Sequence, residues 1–318
     1  MMTFTHDDLA GLKPIHDALV GVDSDGCVFD TMEIKQKECF HGLIVEYWGL
    51  HAIEPLVRET AEFVNLYSVW RGRNRFPCLL RTFDLLRDRP EVLDAGVAIP
   101  ACDGLRAFVE SGRPLSNAEL SRMIRESGNA ELTLLLAWSE AVNARVAQKI
   151  RQVPPFPWAV RSLEKIRSQA DAICVSQTPT EALVREWEEN RLTGFVRLIA
   201  GQELGTKTEH LRLASEGRYL PGRVLMIGDA PGDLDAARAV GARFYPIAPG
   251  REDESWHRFH EEAFDLFLND RYGGAYEAER LAEFEALLPD TPPWDTPHQP
   301  ARASNKGTPC LALSPIHA

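Results

Sequence analysis

The sequence predicts an α/β fold in which a doubly wound, mostly parallel sheet is interrupted by an inserted helical domain. Short apolar runs alternate with helical segments from about residue 155 onward, and such alternation is typical of a parallel sheet. A single apolar run near Val20 has no strand neighbour close in sequence, and the stretch from there to about residue 150 is mainly helical. We therefore expect the first strand to join the later sheet, with the helical stretch inserted between them.

The first predicted strand is the apolar run at residues 18–22, Ala-Leu-Val-Gly-Val. It stops at the acidic turn Asp23-Ser-Asp-Gly, which is typical of a buried strand that leads into a loop. In open α/β sheets, ligands bind beyond the carboxyl ends of the strands. The residues that follow this strand are therefore candidates for a functional site.

A helical stretch follows the acidic turn. Asp30 and Glu33 have the spacing of a capping box, and apolar residues recur on one face of the next helix. The clearest helix of the stretch is predicted at 131–150, where leucines cluster. The run Pro-Pro-Phe-Pro at 154–157 then breaks the chain and indicates a hinge or boundary.

Strands and helices alternate in the second half of the chain. We predict strands at 172–175, 196–200, 224–227 and 243–247, and helices at 179–190, 207–215, 231–240 and 275–288. The domain organisation that follows has a core formed by residues 1–31 and 155–290, a helical insertion at 32–154, and a tail at 291–318. The tail is rich in proline and is predicted to be disordered.

Composition excludes several classes of function. The chain has 318 residues and a formal net charge of −12, which argues against a nucleic-acid-binding protein, because that role needs a basic face. It shows no long apolar run and no signal-peptide pattern, so we expect neither membrane insertion nor secretion. The six cysteines show no paired spacing, which fits a reducing compartment. A cytoplasmic protein is the expectation.

Two acidic turns carry the chemistry. Asp23 and Asp25 follow the first strand, and Asp229 and Asp233 follow the strongly apolar strand at 224–227. Either turn alone is equally well explained by helix capping. Together they would place four carboxylates at one edge of the sheet, where they would repel one another without a cation. Carboxylate oxygens as the only candidate ligands in the two turns indicate Mg²⁺.

These turns resemble the first and last motifs of the haloacid dehalogenase superfamily, and the resemblance covers about residues 15–250. It implies that Asp23 is a nucleophile and that Asp25 is the general acid and base. It also implies that Mg²⁺ is held by Asp23, Asp229, Asp233 and the backbone carbonyl of Asp25, which leaves the Asp25 side chain free of the metal.

Two further motifs match in order. Ser176 resembles the residue that hydrogen-bonds the phosphoryl oxygens, and Lys207 resembles the basic residue that pairs with the nucleophile and the phosphate. Gln177 stands where the superfamily commonly has Asn, and Cys27 where it usually has Thr. Both departures leave the catalytic groups in place and bear on how the phosphate is positioned, so Gln177 is included among the phosphate-binding residues.

The resemblance implies a phosphatase that acts on a small phosphorylated metabolite through an aspartyl-phosphate. Asp25 favours phosphate esters, because dehalogenases of this superfamily lack the second Asp. A phosphomutase of the β-phosphoglucomutase type remains an alternative, since it differs only in passing the phosphoryl group to a sugar hydroxyl. A non-catalytic binding protein that keeps the fold is a second alternative. The oligomeric state is left open.

The helical insertion stands where the superfamily carries a helical cap of the first (C1) type. Within it, the run Trp70-Arg-Gly-Arg-Asn-Arg-Phe76 contains three arginines. One hypothesis is that Arg71, Arg73 or Arg75 reaches an anionic group of the substrate. The competing interpretation, which we favour, is a solvated basic turn flanked by two core aromatics.

Overall fold

The computed structural model describes residues 4–220 and 222–295. Its strands are β1 (Leu19–Val22), β2 (Asp171–Val175), β3 (Leu198–Ala200), β4 (Val224–Gly228) and β5 (Arg243–Pro246). They form a five-stranded sheet in the order β3-β2-β1-β4-β5, and every neighbouring pair is parallel. The predicted fold class, a doubly wound and mostly parallel α/β sheet, is confirmed.

The helices surround this sheet and fill the interval between its first two strands. In chain order they are α1 (His6–Ala10), α2 (Thr31–Ile34), α3 (His41–Trp48), α4 (Glu54–Leu66), α5 (Arg75–Asp88), α6 (Pro90–Asp94), α7 (Asp103–Glu110), α8 (Asn117–Ser127), α9 (Ala130–Lys149), α10 (Pro157–Arg167), α11 (Thr180–Glu189), α12 (Lys207–Ser215), α13 (Pro231–Ala239), α14 (Glu252–Arg258), α15 (Phe264–Leu268) and α16 (Ala275–Leu287). None of the helices in the described ranges combines the length and the apolar character that a membrane crossing requires.

Strand β1 lies in the middle of the sheet although it is far from the other strands in sequence. Val22 pairs with Cys174 of β2 on one side and with Ile227 of β4 on the other. Because the three strands are parallel and in register, the residues that follow them leave the sheet at one edge. This register brings the two acidic turns together.

Both faces of the sheet are buried, which explains why its strands are apolar without alternation. Val20 and Val22 of β1 join one apolar cluster, which contains Trp187 and Trp256. Leu19 joins the cluster on the opposite face. The strand therefore anchors the carboxyl edge of the sheet in two apolar cores at once.

Helices α2 to α9 lie between β1 and β2, and they have an apolar core of their own, which includes Phe83, Phe108 and Trp138. The two chain passages that lead into and out of the helical insertion run side by side, where the amide of Phe156 donates to the carbonyl of Val28 at 2.9 Å. The predicted capping box is wrong. Asp30 is the N-cap residue, but its side chain makes no capping hydrogen bond, and α2 passes into a π-helical stretch, Lys35–Phe40.

The end of the described chain returns to the helical insertion. Trp294 packs edge to face on Phe63 of α4, with ring centroids 5.5 Å apart, and the guanidinium of Arg89 lies 4.3 Å from the centre of the Trp294 ring. Of the tail predicted to be disordered, residues 291–295 are described and end in this contact. Residues 296–318 lie outside the described residues.

Candidate active site

Three buried carboxylates meet at the carboxyl edge of the sheet. Asp23 follows β1, Asp229 follows β4, and Asp233 lies in the first turn of α13. One oxygen from each lies within 4.8 Å of one from the others, and all three side chains are buried. The segments that carry them are about two hundred residues apart, and the sheet register brings them into one cluster.

The backbone around this cluster is shaped for the carboxylates. A Cβ at Gly228 would lie 2.3 Å from the Asp233 Cγ, so only glycine leaves room for that side chain. Pro231 begins α13, which suits a residue without an N–H. The amide of Ala230 then donates to Asp233 Oδ2 at 3.1 Å. The local sequence Gly-Asp-Ala-Pro-Gly-Asp therefore fixes where Asp233 points.

Lys207 bridges two of the three carboxylates. Its Nζ lies 2.9 Å from Asp23 Oδ2 and 2.6 Å from Asp233 Oδ1. Burial alone would lower the pKa of Lys207, but the charges of the two carboxylates outweigh burial and raise it. Thr206 caps α12 directly before Lys207, so the start of the helix holds the ammonium group in place. The predicted pairing of Lys207 with Asp23 is present.

The cluster is short of positive charge. Burial raises the pKa of Asp23 to about 6 against the opposing charge of Lys207, and burial likewise raises the pKa of Asp233 to about 6. The pKa of Asp229 is also raised by burial. Among the described residues, Oδ1 of Asp229 has no hydrogen-bond partner. An orphaned, buried carboxylate oxygen beside two other carboxylates fits a hard divalent cation with oxygen ligands.

The side chain of Asp25 is held apart from this cluster. It accepts hydrogen bonds from Thr31 and Lys35, which lie in and just after α2, and from Thr178, which follows β2, at 2.6 Å. Burial would raise the pKa of Asp25, but the charge of Lys35 and the three hydrogen bonds lower it. The Asp25 carboxylate is therefore occupied by partners outside the cluster of Asp23, Asp229 and Asp233.

The predicted phosphate-binding residues differ in what they contact. Ser176 is buried at the end of β2, and its Oγ accepts from the amide of Thr178 at 3.2 Å. Its backbone amide donates to the carbonyl of Ala200 at the end of β3, at 2.9 Å. The Gln177 amide nitrogen donates to the carbonyls of Gly205 at 2.9 Å and Ser176 at 3.3 Å. The side chain of Gln177 therefore links the segment after β2 to Gly205. Its Nε2 is not free to donate to a phosphoryl group in this arrangement.

Of the three candidate arginines, only Arg71 reaches the carboxylates. It is buried, and its Nη2 lies 2.6 Å from Asp229 Oδ2. Arg73 is exposed and lies over the Trp70 ring at 5.0 Å. Arg75 points into the helical insertion, where its Nη1 donates to Asn143 at 2.7 Å. The basic turn is thus solvated only in part, and the structure does not bring Arg73 or Arg75 to the site.

Sequence reasoning missed several residues around Asp25. Thr31 and Lys35 are four apart on one helical face, a spacing that points both at the same neighbour, and this was the available signal. Glu186 of α11 accepts from the Ser24 hydroxyl at 3.4 Å, and burial, followed by the charge of Asp25, raises the pKa of Glu186 to about 8. No sequence pattern marked Glu186, because its position depends on the packing of α11 against β3.

Comparisons with known proteins find similarity only among solved structures. No family model matches the chain, and no curated protein matches it. A haloacid dehalogenase-like family hydrolase from Streptococcus pneumoniae is 16% identical, with a TM-score of 0.41, over 84% of this chain and 98% of that one. A predicted phosphoglycolate phosphatase from Haemophilus somnus is 13% identical, with a TM-score of 0.45, over 73% and 85% of the two chains. A defluorinating L-2-haloacid dehalogenase is 17% identical, with a TM-score of 0.34, over 76% and 86%.

Proposed function

We propose that this chain is a Mg²⁺-dependent hydrolase of phosphate monoesters that acts on a small phosphorylated metabolite through an aspartyl-phosphate on Asp23. The observation that carries the proposal is the convergence of Asp23, Asp229 and Asp233 around the ammonium group of Lys207. Phosphoryl transfer needs charge neutralisation and positioning more than any other contribution. The four motif matches that resemble the haloacid dehalogenase superfamily support the same reaction.

The nucleophile is oriented by two contacts. Asp23 Oδ1 accepts from the Ser24 amide at 2.8 Å, and Oδ2 pairs with Lys207. An Asp23 oxygen would attack phosphorus, forming an acyl phosphate while the ester P–O bond breaks. In its protonated form Asp25 would give a proton to the leaving oxygen, and the resulting carboxylate would take one from the water that attacks the acyl phosphate, which restores the protonated form. That second attack releases inorganic phosphate and restores Asp23.

The remaining groups stabilise charge. Asp23, Asp229, Asp233 and the backbone carbonyl of Asp25 would hold Mg²⁺, which when bound supplies Lewis-acid neutralisation of the phosphoryl oxygens. Lys207 would add its charge at the same oxygens, and Ser176 a hydroxyl hydrogen bond. Thr31 and Thr178 would orient the carboxyl group of Asp25 between its two proton transfers. The helical insertion would cover the substrate and exclude water.

The test is phosphate release from a panel of phosphorylated metabolites with Mg²⁺, using the unaltered protein, Asp23→Asn and Asp25→Asn. Asp88→Asn, at an exposed carboxylate that ends α5, is the matched control. We expect release by the unaltered protein and the control, and a loss of about a thousandfold or more in the other two variants. Phosphate release by Asp23→Asn equal to that of the unaltered protein would refute the assignment of Asp23 as the nucleophile. An isomerised sugar phosphate in place of free phosphate would assign a phosphomutase.

A further inference from the structure

A guanidinium group from the helical insertion is buried against the acidic cluster. Arg71 is 1% exposed. Its Nη2 lies 2.6 Å from Asp229 Oδ2, and its Nε lies 2.8 Å from the same oxygen and 3.1 Å from the carbonyl of Asp229. Its Nη1 donates to the carbonyl of Leu66 at 3.0 Å. Each of its three nitrogens thus has a partner within the protein, which leaves little of the side chain to meet a substrate.

The loop that carries Arg71 is fitted closely to the core. A Cβ at Gly72, whose φ is +73°, would lie 2.6 Å from the Cβ of Ala230, beside Asp229. A Cβ at Gly26, whose φ is +75°, would lie 2.5 Å from Asp229 Oδ2 and 2.8 Å from Arg71 Nη2. Both glycines are required by backbone conformation and by space. The ion pair is therefore enclosed by the insertion on one side and by the first acidic turn on the other.

Resting on the proposed function, we propose that Arg71 is a built-in counter-ion that competes with the divalent cation for Asp229. Oδ2 of that carboxylate is bound by the guanidinium, and only Oδ1 is left without a partner among the described residues. A fixed positive charge within bonding distance of a ligand weakens the binding of a second cation there. Docking of the loop at residues 66–74 on Asp229 therefore weakens metal binding. By thermodynamic reciprocity, metal binding weakens the docking of this loop to the same extent.

This role differs from that of an arginine that merely orients Asp229. An orienting arginine would strengthen metal binding, so its removal would weaken affinity, whereas removal of a competing counter-ion strengthens it. In the metal-free protein, the cation binds only the fraction of molecules in which the Arg71–Asp229 ion pair is broken. Removing Arg71 frees Asp229 in every molecule, so the apparent affinity for the cation rises by the inverse of that fraction. The sign of one measured change separates the two roles.

The experiment is calorimetric titration of Mg²⁺ into four metal-free proteins: the unaltered chain, Arg71→Gln, Arg73→Gln and Asp229→Asn. Arg73→Gln is the matched control, because it removes the same charge two residues away from an exposed side chain. We expect Arg71→Gln to bind Mg²⁺ about tenfold more tightly or better, Arg73→Gln to bind within about twofold of the unaltered chain, and Asp229→Asn to bind much more weakly. Unchanged or weaker binding by Arg71→Gln overturns the inference.

Two further readouts keep the test decisive. In the unaltered protein, Mg²⁺ should increase amide hydrogen exchange in residues 66–74, and unchanged or slower exchange there also overturns the inference, even if Arg71→Gln does not fold. If Asp229→Asn binds Mg²⁺ as well as the unaltered chain, the metal site of the proposed function fails. If Asp229→Asn loses Mg²⁺ binding while Arg71→Gln binds no more tightly, only the role of Arg71 fails.

Discussion

The buried carboxylate of Asp23 should make the metal-free protein lose stability as pH rises, and Asp23→Asn isolates the effect. Burial raises the pKa of Asp23 from its usual 3.8 to about 6. Between these values the folded protein holds a proton that the unfolded chain has lost, so the contribution of Asp23 to stability is full below pH 4 and is lost as pH rises through 6. A shift of this size corresponds to about 2–3 kcal/mol.

The measurement is the free energy of urea unfolding in EDTA at pH 4 to 7.5 for the unaltered chain and for Asp23→Asn. The value for the unaltered chain minus that for the variant should fall by about 2–3 kcal/mol across the range. Taking the difference cancels titrating groups whose pKa values do not depend on Asp23, such as those of His41 and His210, which burial lowers to about 3 and about 4. Hydrogen bonds changed by the substitution add a constant offset and leave the slope intact.

Saturating Mg²⁺ should remove or reverse this slope, because a bound cation favours the ionised carboxylate. Asp88→Asn, at its exposed position, serves as the control for the background of the assay. A difference that stays flat or rises with pH in EDTA would refute the claim that burial dominates at Asp23. It would also remove the electrostatic argument that the cluster is short of positive charge.

Three other predictions follow from the geometry. Lys207→Met leaves two buried carboxylates without their shared partner. We expect a loss of about 3–5 kcal/mol in the free energy of unfolding and at least a hundredfold loss of phosphate release. Unchanged values of both would contradict the bridging role of Lys207. Gly228→Ala places a methyl group on Asp233, which should weaken Mg²⁺ binding about tenfold by calorimetry; Gly232→Ala, where a Cβ meets nothing within 4 Å, is the control. Trp294→Ala should lower the unfolding free energy by about 1–3 kcal/mol, measured in urea, and an unchanged midpoint would show that its contact is idle.

The parts of the site that could be predicted from sequence share a physical cause. A continuous apolar run must be buried on both faces, so the runs before Asp23 and Asp229 had to be central parallel strands. Parallel strands in one sheet end at one edge, and the acidic turns therefore had to meet. Asp23, Asp229 and Asp233 were identified because they follow directly from this topology. Lys207 was identified only from the resemblance to the superfamily.

The missed features depend on the direction of single side chains. The sequence provides no means of distinguishing the three arginines Arg71, Arg73 and Arg75. The positive φ of Gly72 turns the chain between the first two, so that they contact different neighbours. His41 is buried within the insertion, and no sequence pattern marked its burial. In both cases the outcome is set by packing between helices that are distant in sequence, and hydrophobic periodicity does not record it.

The packing of Trp294 on the helical insertion restricts how the insertion can move relative to the sheet. A domain inserted between two strands is joined to the rest of the protein by two adjacent chain segments, which here are held together by the Val28–Phe156 hydrogen bond. Two such adjacent connections can act as a hinge. The chain's return to Phe63 and Arg89 adds a third point of attachment, set apart from the hinge like a latch. A rotation of the insertion away from the sheet would therefore either release the indole or move the last described residues together with the insertion.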